Sequence, residues 1–164
     1  DFKILEATEY INKKQKVILV DEIEKYFDGN IQGKKIAMWG LAFKANTDDI
    51  REASSLDNIE LLLEKGAQVV AYDAIAEENV RKILGDKIEY AKDMYSALEG
   101  ADCLLIATEW SEFKNPNFEL MASKLKNKVI FDGRNMFSME QAEGSGFFYK
   151  SIGRKTVREE PSKK

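Results

Sequence analysis

The chain has 164 residues, 44% of them hydrophobic, and a net charge of -4. That suffices for one well-buried domain with an appendage, and it argues against a broad nucleic-acid or acidic-membrane binding face. There is no histidine and one cysteine, Cys103, so an internal disulfide and any Cys/His or Ser/His catalytic pair are excluded, and a zinc site has little to build on.

No apolar run approaches the length that crosses a bilayer, and no signal-peptide pattern opens the chain. A cytoplasmic protein is the expectation. The first residue is Asp1 rather than methionine, which suggests a piece of something longer.

Residues 1–28 lack proline and glycine and are good helix formers, so the spacing predicts one long helix. Its apolar residues do not form one stripe. Ile4, Ala7, Ile11 and Ile18 share one side, whereas Leu19, Val20, Ile23, Tyr26 and Phe27 cover another. Such a helix either packs on its own domain alone or connects it to a partner subunit or neighbouring domain.

Asp28-Gly29-Asn30 breaks that helix. Buried-type runs follow at Ile36–Trp39, Val69–Tyr72, Cys103–Ala107 and Val129–Phe131, with weaker strand signals at Ile88–Tyr90 and Phe147–Lys150. Their hydrophobicity is continuous rather than alternating, as strands covered on both faces require. Helical segments lie between them. One is capped by Ser54 or Ser55 and stops at Gly66; another runs from about Ala76 to Leu84, a third from about Asp93 to Glu99, and a fourth from Asn117 or Phe118 to near Lys124. The alternation predicts an α/β, doubly wound parallel sheet with helices on both faces, spanning residues 33–153. The polar stretch 154–164 reads as a disordered tail.

Polar clusters recur immediately after the apolar strands: Lys44 to Arg51, Asp73, Thr108-Glu109-Trp110, and Asp132-Gly133-Arg134-Asn135. In a parallel sheet these loops share one edge, where ligands of open α/β folds bind. Lys44 and Arg134 can then form a clamp for a diphosphate, with Arg51 a further cation nearby and Phe43 packing on a base or sugar. Exposed charges solvated on a rim are the competing reading. The first loop keeps only Gly40 of the three glycines in G-x-G-x-x-G and is not a Walker A loop, so side chains must do what backbone amides do in those motifs.

Asp73 occupies the kind of position that takes a ribose hydroxyl, but it stands too far from Gly40 and is better placed to cap the following helix. Asp48 and Asp49 suit a helix N-terminus. Trp110 and Phe113 can cover the sheet end, and Glu109 can fix its loop. Cys103 opens an apolar strand and is read as an inert core thiol.

The residues Gly40-Leu41-Ala42-Phe43-Lys44, Asn46-Thr47-Asp48-Asp49-Ile50-Arg51-Glu52, Tyr72-Asp73, Thr108-Glu109-Trp110 and Phe131-Asp132-Gly133-Arg134-Asn135 together resemble the C-terminal domain of the UDP-glucose/GDP-mannose dehydrogenase family, more its UDP-glucose branch than its GDP-mannose or UDP-N-acetylmannosamine branches. Ala45 and Ser54 stand where many relatives carry proline. The resemblance implies a Rossmann-like UDP-sugar-binding domain, with residues 1–28 as the end of a central helix that helps form a homodimer. It also implies an N-terminal NAD-binding domain, and both the glycine-rich loop and the segment bearing the catalytic cysteine would precede this chain. Phe43, Lys44 and Arg134 would contact the UDP-sugar and Arg51 would lie against NAD; no catalytic residue and no metal ligand is expected here. A fragment without turnover of its own follows. The remaining alternative is a free-standing nucleotide-binding or dimerisation module.

Overall fold

The structure, a computed structural model, describes residues 2–158. Twelve regular elements follow one another: α1 (Phe2–Lys16), α2 (Ile18–Tyr26), β1 (Lys35–Trp39), α3 (Ser54–Glu64), β2 (Gln68–Tyr72), α4 (Glu77–Leu84), β3 (Glu89–Tyr90), β4 (Cys103–Ile106), α5 (Phe118–Lys124), β5 (Val129–Asp132), α6 (Met139–Ser145) and β6 (Phe148–Ser151). The strands form one six-stranded sheet in the order β3-β2-β1-β4-β5-β6, and every pairing is parallel. The Rossmann-like α/β architecture expected from the apolar runs is therefore present. Its strand order reverses between β1 and β4, which places the ligand crevice of such a sheet beyond the carboxyl ends of those two strands.

Because the sheet is covered on both sides, each strand splits its apolar residues between two cores. Ile36 and Met38 of β1 join a cluster with Leu19, Val20, Ile23, Ile59, Leu62 and Phe131 beneath α2 and α3. Ala37 and Trp39 face the opposite cluster, with Leu98, Leu104, Phe113, Met121 and Phe137. Each fully buried side chain of this size stabilises the fold by about 1.5–3 kcal/mol relative to exposure. Trp39 also donates its indole N–H to the Met94 carbonyl at 2.7 Å and stacks on Phe113 with ring centroids 5.0 Å apart.

The N-terminal helix is helical as expected but not continuous. Val17, at φ -111° and ψ 9°, separates α1 from α2. The cause lies across the fold: Asn58 of α3 donates its side-chain amide to the Lys16 carbonyl at 2.8 Å, and Lys16 Nζ bonds Glu52 at 2.9 Å. Below the break, α2 buries Leu19, Val20 and Ile23 on the domain; above it, α1 buries nothing. The two apolar sides thus have different fates, and Phe2, Ile4, Leu5, Tyr10 and Ile11 are exposed.

Three other local expectations are corrected. Neither Ser54 nor Ser55 caps α3: Ala53 is the N-cap residue, without a side-chain bond, and Ser55 Oγ donates instead to the Leu41 carbonyl at 2.6 Å. The helix expected over Asp93–Glu99 shrinks to a 3₁₀ turn, Ser96–Leu98. There Asp93 Oδ1 accepts from the Ser96 amide at 2.7 Å while Ser96 Oγ bonds the Asp93 backbone, and such local bonds compete with α-helix. Part of the stretch expected as a disordered tail, residues 154–158, is instead ordered. Val157 exchanges two 3.0 Å backbone bonds with Tyr149, and Arg154 donates to the Phe137 carbonyl at 2.7 Å; residues 159–164 lie outside the described residues.

Candidate functional site

The loops after β1, β4 and β5 meet at the switch point, and Arg134 joins them. Its Nε donates to the Ala107 carbonyl at 2.8 Å and its Nη2 to the Phe43 carbonyl at 3.0 Å. A guanidinium has five N–H donors, so three remain after those two bonds. Glu109 Oε2 approaches Nε at 3.3 Å as an ion pair, but this buried oxygen accepts no hydrogen bond from the described residues.

The segment Leu41–Phe43 has every backbone polar group engaged within the domain. The Leu41 and Ala42 amides donate to Asp73 Oδ2 at 2.6 and 3.0 Å, and the Phe43 amide to the Asp49 carbonyl at 2.7 Å. Their carbonyls accept from Ser55, Thr108 and Arg134. No amide of this segment is left to cradle a phosphate, as amides do at a glycine-rich loop. A ligand held here would have to be held by side chains, as the single glycine of the loop implies. Gly40, at φ +93°, is required by the packing: a Cβ there would lie 2.4 Å from Thr108 Cβ.

Asp73 is almost fully buried, at 4% exposure. It does hold the turn ahead of α4, with Oδ1 accepting from the Ile75 and Ala76 amides at 2.9 and 2.7 Å. Its wider role has no residue-pattern signal: Oδ2 also accepts from Trp110 Nε1 at 3.0 Å as well as from Leu41 and Ala42. One carboxylate thus fastens the loops after β1, β2 and β4 together. With five donors already on it, it has no capacity for a ribose.

A cavity of about 290 Å³ opens beside this junction between Leu19, Phe43, Ala107 and Arg134, with Lys16 of α1, Asn58 of α3 and Glu52 of the turn before α3 on its wall. It adjoins a wider groove of about 820 Å³ that runs between Phe43 and α1 and shares Gln15, Lys16 and Glu52 with it. Phe43 is 44% exposed and projects at the boundary of the two. Lys44, next in the chain, is exposed.

Arg51 stands apart. Its guanidinium makes two bonds to the Asp49 carboxylate, at 3.0 and 2.8 Å, and lines a separate depression with Thr47, Asp48 and Asn79. The Arg51 side-chain bonds hold the Asp49 carboxyl down at about 2. The structure thus brings Arg134 to the Phe43-Lys44 segment and leaves Arg51 facing elsewhere. Cys103 is wholly buried, and burial pushes its thiol up. Among the described residues no acidic or thiol cluster forms a metal site and no helix is long and apolar enough to cross a membrane.

Sheet order, crevice and loop chemistry define a Rossmann-like α/β domain whose polar side chains converge at the strand-order reversal. The model of the UDP-glucose/GDP-mannose dehydrogenase family, UDP binding domain, matches residues 37–139, and the chain belongs to that family. It is 45% identical over 164 residues to UDP-glucose 6-dehydrogenase TuaD of Bacillus subtilis, covering 99% of this chain and 35% of that protein. A UDP-glucose dehydrogenase structure from Pyrobaculum islandicum superposes with a TM-score of 0.64 at 34% identity, over 81% of this chain and 28% of that one. The UDP-N-acetyl-mannosamine dehydrogenase Cap5O of Staphylococcus aureus gives a TM-score of 0.67 at 31% identity, over 88% and 32%. The chain therefore spans about a third of the length of the curated relatives it matches.

Proposed function

We propose that this chain is the nucleotide-sugar-binding part of an NAD-dependent UDP-glucose 6-dehydrogenase, which oxidises UDP-glucose to UDP-glucuronate by two hydride transfers. The observation that carries the reading is the Arg134 bond to the Phe43 carbonyl, which unites the cation and the exposed ring at the crevice of a UDP-binding domain. Phe43 packs on the uracil or the sugar. Arg134, with its remaining donors, and Lys44 engage the phosphates, each charge-assisted bond contributing about 1.5–3 kcal/mol.

NAD supplies the hydride acceptor when bound, but the residues present here do not form a cradle for it. The amides after β1 are occupied and so is Asp73. We assign the cofactor to an NAD-binding domain outside this chain, touched at most by Arg51, whose 87% exposed side chain suits a contact across a domain boundary. The exposed apolar residues of α1 support a homodimer formed through that helix, with residues 1–28 as its connecting part, 33–153 as the binding domain, and a cytoplasmic setting.

Calorimetric titration of this chain with UDP-glucose, GDP-mannose and UDP-N-acetylmannosamine tests the reading. UDP-glucose is expected to bind most tightly, and no NADH should form when NAD is added; preference for another sugar nucleotide, or turnover, would overturn it. The likeness to Cap5O makes UDP-N-acetylmannosamine the second reading.

A further inference from the structure

Asp132 ends β5 directly beneath the loop that carries Arg134, and it is wholly buried. Oδ1 accepts from the Arg134 amide at 2.8 Å. Oδ2 accepts from the Met136 amide at 2.7 Å and from the hydroxyl of Tyr149, on the neighbouring strand β6, at 2.7 Å. Tyr149 is itself 1% exposed. Neither side chain can touch a ligand, yet both bear on the shape of the turn.

That turn is demanding. Gly133 sits where a Cβ would come within 3.0 Å of the Ile106 carbonyl oxygen, and Asn135 holds φ +51°, a conformation that costs a non-glycine residue energy unless its surroundings impose it. The carboxylate supplies that constraint by gripping amides on both sides of Asn135. The direction in which Arg134 leaves the backbone, and hence its reach to Ala107 and Phe43, is set by this grip.

We propose that Asp132 and Tyr149 form a buried positioning pair that fixes the Arg134 guanidinium for binding the diphosphate of a nucleotide. The proposal deepens the reading of the site given above and rests on it for the identity of the ligand. Tyr149→Phe is the sharpest variant, because it deletes one hydroxyl without changing the packing volume. Ile130→Val, at the position on the neighbouring strand β5 that pairs with Tyr149, is the control for a merely structural loss.

Two readouts separate the questions. The first is solvent exchange of the Arg134 Nε–H by nitrogen-15 NMR of the ligand-free chain, assigned with Arg134→Lys. The second is calorimetric affinity for UDP. Loss of one hydrogen bond corresponds to about fivefold, so Tyr149→Phe should speed Nε–H exchange and weaken UDP binding by about that factor, whereas Ile130→Val leaves both unchanged. Unaltered exchange in Tyr149→Phe, or equal changes in the control, overturns the positioning role. Faster exchange in a chain that does not bind UDP supports the positioning of Arg134 and overturns the assignment of the nucleotide.

Discussion

Arg134 and Phe43 are joined by a hydrogen bond from the guanidinium to the main-chain carbonyl, 3.0 Å long, across 91 positions of sequence. The bond spans the place where strand order reverses, so the side chain that can grip an anion also braces the loop that presents the aromatic ring. Under the proposed function, binding and local stability are therefore coupled at one residue. Arg134→Lys keeps the charge but cannot satisfy two carbonyls with a planar fork. We expect it to lose about 1–3 kcal/mol of stability and at least tenfold in UDP affinity, measured by urea unfolding and calorimetry. Unchanged stability would show that the two carbonyls do not need the guanidinium.

Asp73 should be among the most sensitive positions of the domain. In Asp73→Asn an amide group replaces an oxygen that faces only donors, and part of the three-loop junction loses its acceptor. The expected cost is about 3 kcal/mol or more, read by chemical denaturation. A near-neutral result would mean that the five bonds are not needed together.

Gly40→Ala meets two obstacles. The backbone at φ +93° disfavours a side chain, and the added Cβ would fall 2.6 Å from the Thr108 backbone nitrogen as well as against its side chain. Trimming Thr108 to serine leaves that backbone contact in place. We expect a loss of roughly 2–4 kcal/mol that Thr108→Ser does not rescue; rescue by that second substitution would contradict the geometry.

The Asp49-Arg51 pair predicts a particular acid response. The bonds from Arg51 favour the ionised carboxylate, so its folded value, about 2, lies below the ordinary 3.8. Stability from the pair is present in full above the ordinary value and is lost as pH falls toward about 2. Carbon-13 NMR titration should find the Asp49 midpoint near the lower figure in the native chain and closer to the ordinary one in Arg51→Ala. The same midpoint in both would disprove the assignment of cause.

Tyr72 provides the alkaline counterpart. Burial, and then the charge of Glu112 beside its hydroxyl, pushes this phenol up to about 12 from 10.0. The neutral form is the one the fold favours, so its contribution is intact below pH 10 and declines as pH rises toward 12. Ultraviolet titration should therefore show Tyr72 ionising late, and Tyr72→Phe should delete a late-titrating phenol and leave the early ones.

The parallel sheet could be read from the chain because 36–39 of β1, 103–106 of β4 and 129–131 of β5 are continuously apolar, a pattern that needs cover on both faces. The edge shared by the polar loops followed from that sheet. The helix break at Val17 could not be read, since it depends on a bond to Lys16 from Asn58, 42 residues from it, in a segment of good helix formers. Arg134 was visible as a cation, but the acceptors of its side-chain hydrogen bonds are backbone carbonyls, which carry no residue-type signal. The α6 helix does have a signal, the capping box formed by Ser138 and Gln141; with only Ala142 buried, its seven residues show almost no apolar period.

The internally satisfied main chain of Leu41–Phe43 has an evolutionary consequence. A pedestal held by its own domain keeps its shape whatever molecule rests on it, so under the proposed function ligand choice can drift by replacing the side-chain ornaments it carries. Relatives oxidising different sugars need not redesign the masonry underneath.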